Sequence, residues 1–488
     1  MGDSLSNLTL LMPWIFLGIG ILASLLVSSI RIQTKNPAKF VTLATLGLVM
    51  ISSVHLFGQE TRTVLSGLIE VSPLTCMALF LISGISFLFV VGSSGYLNKE
   101  KLHISDYYNL LLLVVLGASV LVSAKDLFVM FIALEVMSLP AYALVGFRRN
   151  DPRSNEAALK YFILGGALGA VFLFGTSFVF GATGSTQLAQ IFEWSKTYNG
   201  DLLLFVVGHL LVLFAFLFKV AAAPFHFWKP DVYEGAPISV TGLMATVITT
   251  AAFVVLMRLF HMVDFHTPIW EPYFESLKQM IRATAILSLL VGSTILILQK
   301  NLKRMLAYSS INHTGYLLLG VLGSLSHPEQ AYSIWFYLVG YSIITSGLFL
   351  MLSQSETPND QGLELIDLAG ALKKNPLFAT LASIFFFSMA GMPFTIGFFT
   401  KYTVFMSSIS AGEVLLVIIS AVCAVIASYG YLRPIALMVM RDPDPSSASF
   451  VSTMSNQTVV VFLAALCLIL GVLPQTLIQI TKGLELIP

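Results

Sequence analysis

Three charged side chains stand inside apolar stretches of this sequence. Lys219 follows the run LFAFLF, Lys401 follows TIGFFT, and Glu135 lies within DLFVMFIALEVMSLPAYALVGF. A charge at the centre of a bilayer costs about 2.5–3.5 kcal/mol on insertion scales, so such residues mark ion paths by default. A desolvated lysine can load and release a proton, and a nearby carboxylate favours its charged form. We interpret Glu135 and Lys219 as a switchable pair, provided that their helices are neighbours.

Three weaker candidates accompany these charges. Lys160, in SNEAALKYFILGG, could carry protons or anchor a helix at the membrane surface. His226 could do the same or belong to an interfacial aromatic belt, and His313, in YSSINHTGYLLLG, could be a relay or a hydrogen-bonded core residue. Histidine titrates near neutral pH, so either imidazole could pass protons. For Lys219 and Lys401 the alternative is snorkelling to the surface, and for Glu135 it is a structural carboxylate.

The composition identifies the surroundings of these residues. Of the 488 residues, 57% are hydrophobic and 10% are charged, against roughly 25% charged in soluble domains. The chain is therefore predicted to be an all-α, polytopic membrane protein. About 14 apolar segments have the roughly 20 residues that a membrane helix needs. They lie near residues 10–30, 39–58, 76–96, 107–124, 126–147, 158–182, 202–228, 238–262, 280–299, 303–323, 330–354, 376–409, 412–438 and 455–478.

Two of the predicted spans are too long for one straight crossing. Residues 202–228 would make a helix of about 40 Å and residues 377–409 one of about 50 Å, while the hydrocarbon layer is about 30 Å thick. Each contains a helix breaker, Pro224 in the seventh span and Pro393 in the twelfth. Interrupted helices at corresponding places indicate an inverted-repeat transporter. The twelfth span comes five spans after the seventh, which is the offset that a repeat of five helices gives, and an odd number of helices per repeat inverts the topology.

The basic residues predict the orientation. Loops after odd-numbered spans hold sixteen of them and the opposite side holds six, so both termini should face away from the cytoplasm. Arg258, near a helix end, is expected to snorkel to the surface. The sixteen are Arg31, Lys35, Lys39, Lys99, Lys101, Arg148, Arg149, Arg153, Lys229, Lys300, Lys303, Arg304, Lys373, Lys374, Arg433 and Arg441; the six are Arg62, Lys125, Lys196, Lys278, Arg282 and Lys482.

Several site types are not expected in this chain. The cysteines at 76, 423 and 467 are far apart and show no CxxC spacing, which argues against an iron–sulfur cluster, a zinc site or a disulfide framework. There is no glycine-rich phosphate loop, no dinucleotide fingerprint and no basic run for nucleic acid. We therefore expect no redox cofactor, metal or nucleotide in the chain itself.

Three segments carry a family resemblance. FKVAAAPFHFWKPDVYEGAP, NLKRMLAYSSINHTGY and MAGMPFTIGFFTK resemble the antiporter-like membrane subunits of the proton-pumping NADH:quinone oxidoreductase, respiratory complex I. The resemblance runs along nearly the whole chain. Within that group, the wording PDVYEGAP and the lysine at 401 are most similar to subunit N.

The resemblance implies an architecture and a set of sites. Two inverted bundles, helices four to eight and nine to thirteen, would surround a hydrated chain of polar residues. That divides the chain into residues 1–100 (helices one to three), 101–265 and 266–440 (the repeats) and 441–488 (helix fourteen). The family's helix-five glutamate and helix-seven lysine match Glu135 and Lys219. Its helix-six lysine, its histidine after the first break and its helix-twelve lysine match Lys160, His226 and Lys401.

One position departs from the family pattern. The family usually has a lysine in helix eight that bridges the two half-channels, and Thr249 stands there in this sequence. A threonine can hydrogen-bond to water but cannot hold a proton as a charged relay. Three possibilities remain open at this stage: water fills the gap, His313 takes over, or the central path is altered.

The function implied by the resemblance is proton translocation driven by quinone reduction elsewhere in a complex. The chain would be a non-redox subunit in a bacterial cytoplasmic membrane. Its partners would be other membrane-arm and peripheral-arm subunits and the lipid bilayer, and flavin, iron–sulfur clusters and quinone would reside in the partner subunits. The main alternative is the large subunit of a multi-subunit sodium/proton antiporter or membrane-bound hydrogenase. A stand-alone transporter and a non-conducting scaffold are further alternatives.

Overall fold

A computed structural model describes residues 8–29, 36–102, 104–197, 201–265, 267–356, 363–443, 449–450 and 452–484. Over these ranges the chain is overwhelmingly helical, which confirms the all-α prediction. Arg31 and Lys35, which contributed to the predicted orientation, lie outside the described ranges.

The first half of the chain forms eleven helices and one hairpin. The helices are α1 (Met12–Ser29), α2 (Pro37–Phe57), α3 (Pro73–Gly92), α4 (Ser94–Lys99), α5 (Ser105–Ser123), α6 (Leu127–Val145), α7 (Pro152–Thr183), α8 (Leu188–Thr197), α9 (Leu202–Lys219), α10 (Trp228–Gly235) and α11 (Ile238–Phe260), within the described residues. One π-helical turn, Met244–Ile248, interrupts the regular hydrogen bonding of α11. Strands β1 (Arg62–Val64) and β2 (Ile69–Val71) pair antiparallel between α2 and α3.

The second half continues the same pattern. Its helices are α12 (Glu271–Leu298), α13 (Leu302–Ser326), α14 (Tyr332–Leu352), α15 (Ala371–Lys374), α16 (Pro376–Ala390), α17 (Ile396–Ser410), α18 (Val414–Met440), α19 (Met454–Val472) and α20 (Pro474–Lys482). Short 3₁₀ turns lie at Pro268–Trp270, Pro328–Ala331 and Leu365–Leu368. Strand β3 (Ser355–Glu356) pairs antiparallel with β4 (Ser449–Phe450).

Twelve helices of the described chain are long and apolar enough to cross a membrane. Two further predicted spans, the tenth and the twelfth, form helices that are less apolar or shorter than these twelve. Helix α13 has 25 residues but carries the polar run around His313, and residues 376–410 form two shorter helices, α16 and α17. The chain is an integral membrane protein, as its composition predicts.

Helix ends are set by local sequence signals. Asp126 accepts hydrogen bonds from the backbone of Phe128 and Val129 at the start of α6. Asp201 does the same for α9 and Asn375 for α16. Side-chain oxygens at these positions satisfy amide groups that have no partner within the helix. The caps fix where the helices that carry Glu135 and Lys219 begin.

Helices α11 and α14 lie at the centre of the fold. Their membrane-spanning portions are entirely buried, whereas only 28% of the corresponding portion of α7 is buried. Helix α7 nonetheless packs closely on both α6 and α9. The close approach to α9 depends on Gly175 and Gly208, because a Cβ on either glycine would come within 2.8 Å of the other's carbonyl oxygen. This contact sets how closely α9, the helix that carries Lys219, approaches α7.

Two helices are interrupted within the membrane region. Helix α9 ends at Lys219, and eight residues, including Pro224, precede α10. Helix α16 ends at Ala390, and five residues, including Pro393, precede α17. Gly391 follows α16 in the left-handed conformation with φ +86°, which costs glycine little. Both interruptions reach the surface of the chain, where Phe394 is 76% exposed.

Candidate functional site

Lys219 is held between two helices by hydroxyl groups. Its buried ammonium donates hydrogen bonds to Ser138 Oγ on α6 at 2.7 Å and to Tyr161 Oη on α7 at 3.2 Å. Glu135 lies one helical turn before Ser138 and interacts with Lys219 through space rather than by a direct ion pair. Helices α6 and α9 therefore meet through this side chain, although α9 packs mainly against α7 and α6 mainly against α5.

The Glu135 carboxylate occupies a notch in α7. A Cβ added to Gly169 would lie 2.7 Å from Glu135 Oε1. A Cβ at this position would force the Glu135 carboxylate to shift. Neither Gly169 nor Ser138 stood out in the sequence, because their importance depends on which helices face each other.

Aromatic rings surround the Lys219 ammonium. Its Nζ lies 5.1 Å from the ring centre of Tyr161 and 5.7 Å from that of Tyr142, distances at which a ring face stabilises a cation. Tyr161 also stacks on Trp228, with ring centres 4.8 Å apart. Trp228 in turn donates to the Phe218 carbonyl at 3.2 Å. The start of α10 is thereby tied back to the end of α9, next to the lysine.

Lys401 is held by backbone oxygens. Its Nζ donates to the carbonyls of Met389 at 2.9 Å and Ala390 at 3.0 Å. These carbonyls belong to the last turn of α16, where helical partners are missing and the helix dipole is negative. The ring of Tyr316 lies 5.6 Å from the ammonium. The second break thus provides a fixed binding site for the lysine.

His313 lies deep in α13 with an incomplete set of partners. Its Nδ1 is 2.5 Å from the Tyr337 hydroxyl, and its ring centre is 4.9 Å from that of Tyr341. Its Nε2 is buried and has no hydrogen-bond partner in the described part of the chain. The charge of Lys401 acts on this imidazole. His313 can therefore take or give a proton at Nε2 without breaking a bond at that atom.

Lys160 lies at an opening rather than in the interior. Its side chain is 41% exposed and pairs with Glu156 at 2.7 Å and Asp231 at 2.8 Å. These residues help line a cavity of about 260 Å³. Partial burial alone would raise the pKa of Asp231, but hydrogen bonds from Lys160 and Arg304 hold that pKa below its ordinary value. The opening carries charge of both signs.

His226 lies on the first interruption. It is half-buried beside the exposed Phe227, and its Nδ1 is a buried atom with no hydrogen-bond partner among the described residues. The two hydrogen-bond acceptors of Lys219 are Ser138 and Tyr161, so His226 does not contact the lysine directly.

The snorkelling predicted for Arg258 is wrong. Arg258 is 4% exposed and pairs with Glu70 of β2 at 2.8 Å. Lys125 pairs with the other oxygen of Glu70, also at 2.8 Å. Burial would raise the pKa of Glu70, but the charges of Arg258 and Lys125 hold it below its ordinary value. The arginine is a buried anchor for the β1–β2 hairpin.

Besides Lys125, which is 5% exposed, two further lysines assigned to loops are buried instead. Lys229 and Lys303 are each 2% exposed. Lys303 donates to the carbonyl of Ala236, just after α10, at 2.9 Å. The Lys229 ammonium lies 5.4 Å from the ring centre of Tyr233, one turn further along α10. The neighbouring Pro230 and Asp231 favoured a loop, and only the surrounding aromatic residues WKPDVY hinted at burial.

Comparisons with known proteins identify the family. The model of the NADH:quinone oxidoreductase/Mrp antiporter transmembrane family matches residues 124–427. The chain is 37% identical over 444 residues to NADH-quinone oxidoreductase subunit N 1 of Sorangium cellulosum, covering 88% of this chain and 86% of the relative. This chain belongs to the NADH-quinone oxidoreductase subunit N family.

Solved structures agree with this subunit N assignment. A chain of respiratory complex I from Thermus thermophilus matches with a TM-score of 0.82 and 30% identity, over 96% of this chain and 99% of that one. A chain of the Mrp complex from Dietzia sp. matches with a TM-score of 0.82 at 19% identity, over 97% and 96% of the two chains. The second likeness shows a shared fold only.

In this member of the subunit N family, α11 offers hydroxyl groups where the resemblance implies a lysine. Thr249 is buried, and its hydroxyl donates to the Met244 carbonyl at 3.1 Å across the π-helical turn. Thr246 likewise donates to the Gly242 carbonyl at 2.7 Å. Both protons are engaged by the helix's own backbone, so neither threonine is free to donate into the interior.

Proposed function

We propose that this subunit N family member moves protons along a chain of buried polar groups between Lys219 and Lys401. The observation that carries the proposal is the series of buried polar groups. Two buried lysines, one at each helix interruption, have buried hydroxyl, imidazole and aromatic side chains between them. Buried ionisable groups are costly in a membrane, and a scaffold has no need of them.

Loading would begin at Lys219. With Glu135 ionised and close, the ammonium form of the lysine is favoured. A movement of α6 that separates the carboxylate from the lysine would favour release of the proton. Ser138 and Tyr161 keep the amine in position in both states, because a hydroxyl can accept from an ammonium and donate to an amine.

The central segment runs through α10, α13 and α14. The Tyr233 hydroxyl is near Ser310 but is buried with no hydrogen-bond partner among the described residues. Ser310 accepts from the Tyr341 hydroxyl at 2.9 Å. Tyr341 contacts His313, whose Nδ1 is bound to Tyr337. These groups supply successive hydrogen-bond donors and acceptors, and bridging water is plausible only where such polar partners exist.

Release would occur at Lys401. Buried hydroxyl groups at Thr403, Ser407 and Ser408 continue along α17 beyond the lysine. The positive-inside expectation puts the end of α17 on the non-cytoplasmic side, together with both chain termini. Protons would enter near the opening at Lys160 and Asp231, on the cytoplasmic side, and leave along α17.

We further propose that the chain is a non-redox subunit of a bacterial NADH:quinone oxidoreductase. Flavin, iron–sulfur clusters and quinone would belong to partner subunits of the membrane and peripheral arms. The alternative, an antiporter or hydrogenase subunit, is not favoured, because the Sorangium relative at 37% identity is a subunit N whereas the Mrp chain is 19% identical.

The test is proton pumping by membranes that carry the assembled complex. We expect Lys219→Ala and Lys401→Ala to lower NADH-driven acidification of inside-out vesicles by about tenfold or more, since each removes a positioned proton-transfer group. Native gels should show an intact complex. Lys300→Ala, at an exposed position, is the control and should pump normally. Normal pumping by both lysine variants in assembled complex would falsify the proposal.

A further inference from the structure

We propose that Lys229 carries the central charge of the proton path, in place of the helix-eight lysine that this sequence lacks at Thr249. The inference rests on the proposed function and adds a residue that the family pattern does not assign. Four observations support it: the burial of Lys229, its lack of an acidic partner, its position between the two halves of the path, and the open nitrogen of His313.

Lys229 is a buried cation without a counter-ion. Its side chain is 2% exposed, and no carboxylate of the described residues pairs with it. Three of the other buried cations are compensated differently: Arg258 and Lys125 share Glu70, and Lys303 binds a carbonyl. A lysine kept in such a place exists at low cost only if it can lose its proton, which is the property that a relay requires.

The position of Lys229 links the two halves. It directly follows Trp228, which stacks on Tyr161, and Tyr161 holds Lys219. On its other side it lies against the ring of Tyr233, whose buried hydroxyl is near Ser310 of α13 and has no hydrogen-bond partner among the described residues. Along the chain of contacts, Lys229 therefore follows the Lys219 site and precedes His313.

His313 is the acceptor that such a relay needs. Lys229 and Lys401 are both near enough for their charges to act on its imidazole. Because like charges repel, the imidazole accepts a proton only while Lys401 is a neutral amine. Its Nε2 has no hydrogen-bond partner within the described residues. In the forward step, Lys229 changes from ammonium to amine as its proton passes, directly or over water, to His313 Nε2. The imidazolium then returns to neutral imidazole as a proton moves toward the amine of Lys401. No atom or electron is left unbalanced.

Helix α11 contacts α14 close to His313. A lysine at Thr249 and Lys229 would therefore both act on the central part of the proton path. Thr250 Oγ1 lies 3.5 Å from Ser342 Oγ on α14, and Ser342 follows Tyr341, which contacts His313. A lysine introduced at Thr249 would begin one residue from this contact. The double substitution Lys229→Thr with Thr249→Lys therefore tests whether the charge can be moved back to the helix-eight position.

The experiment compares Lys229→Thr, Lys229→Met and the double variant in assembled complex. We expect both single variants to lower NADH-driven acidification by about tenfold, as for loss of a proton-transfer group, and the double variant to regain at least half of the normal rate. Assembly is followed on native gels and by NADH oxidation with an artificial acceptor. Lys229→Met keeps an unbranched side chain of similar length. It therefore preserves the packing even if the shorter, hydroxyl-bearing threonine disturbs it.

The outcomes separate the relay from a packing role and from failure of the proposed function. Normal pumping by an assembled Lys229 variant, while Lys219→Ala and Lys401→Ala fail, overturns this inference alone. Normal pumping by all of these variants overturns the proposed function as well. A loss of pumping that Thr249→Lys does not restore assigns Lys229 to structure and also overturns the relay. The same conclusion follows if neither Lys229→Thr nor Lys229→Met allows the complex to assemble.

Discussion

The ammonium of Lys219 donates to Ser138 Oγ at 2.7 Å instead of forming an ion pair with Glu135. Ser138 lies one helical turn from the glutamate, so the lysine has a neutral hydrogen-bond acceptor close to the acid. The Coulomb attraction between Glu135 and Lys219 then depends on a separation that small helix movements can change. A direct ion pair at contact distance would resist such a change.

Removing the serine hydroxyl should weaken this arrangement. In Ser138→Ala the buried ammonium loses one of two hydrogen bonds, and a bond to a charged group is worth about 1.5–3 kcal/mol. We expect roughly tenfold slower acidification of inside-out vesicles with an assembled complex. Ser119→Ala is the matched control, because the Ser119 hydroxyl only donates to the Val115 carbonyl of its own helix. Equal rates for the two variants would contradict the role given to Ser138.

Removing the negative charge should change the pH dependence of pumping. In Glu135→Gln the protonated form of Lys219 loses its one acidic neighbour among the described residues, so the alkaline limb of the rate profile should move to lower pH by about one unit. Pumping at neutral pH should fall as well. Glu60→Gln, at an exposed position, should keep the normal profile. An unchanged pH profile for Glu135→Gln would contradict the proposed pairing of Glu135 with Lys219.

Two glycines of α7 provide a steric test of the same site. A Cβ at Gly169 would approach Glu135 Oε1 to 2.7 Å, whereas one at Gly166 would meet no atom within 4 Å. Gly169→Ala should displace the carboxylate and impair pumping. Gly166→Ala should pump normally and be slightly more stable, by up to about 1 kcal/mol from helix propensity. If both variants pump alike, the notch in α7 has no part in positioning Glu135.

The buried cluster at Glu70 predicts a pH-dependent contribution to stability. Because the pKa of Glu70 is lowered in the folded state, its stabilising contribution is complete above the unfolded value, near 4.3, and is lost as pH falls through the folded pKa. Glu70→Gln leaves Arg258 and Lys125 buried without an acid and should cost about 3–5 kcal/mol at neutral pH. The difference from the unmodified chain should shrink below about pH 4.3.

Thermal dissociation of the solubilised complex, followed on native gels across pH, measures this effect. Asp442→Asn serves as the comparison, because Asp442 and Lys373 form an exposed ion pair at 2.5 Å. Exposed pairs contribute little, so that variant should dissociate at the normal temperature. A Glu70→Gln complex as stable as the unmodified one at neutral pH would show that Glu70 does not compensate the buried cations.

Sequence reasoning reached the fold class because hydrophobicity and helix length are local properties. The apolar segments predicted membrane helices, and the family resemblance pointed to subunit N. The division into two five-helix repeats, the domain boundaries and the orientation of the termini stay predictions. They depend on relations between distant helices and on the surrounding membrane.

The errors concern long-range partners. Arg258 and Glu70 are 188 residues apart in sequence, and nothing local to the arginine indicated a buried acid on a short hairpin. Lys229 lies beside proline and aspartate, which favoured a loop, although the residue is 2% exposed in the structure. Ser138 and Gly169 have ordinary local surroundings. Their roles appear only when α6, α7 and α9 are brought together.

The two terminal lysines differ in what stabilises their charge, and this has a consequence for direction. Lys219 faces a glutamate on another helix, whose influence varies with distance, whereas Lys401 is bound by carbonyl dipoles of its own interrupted segment, which do not ionise. Under the proposed function, one end of the path is adjustable and the other is set. Proton transfer along such a path would be controlled at the Glu135 end. The Lys401 end would release each proton that reaches it.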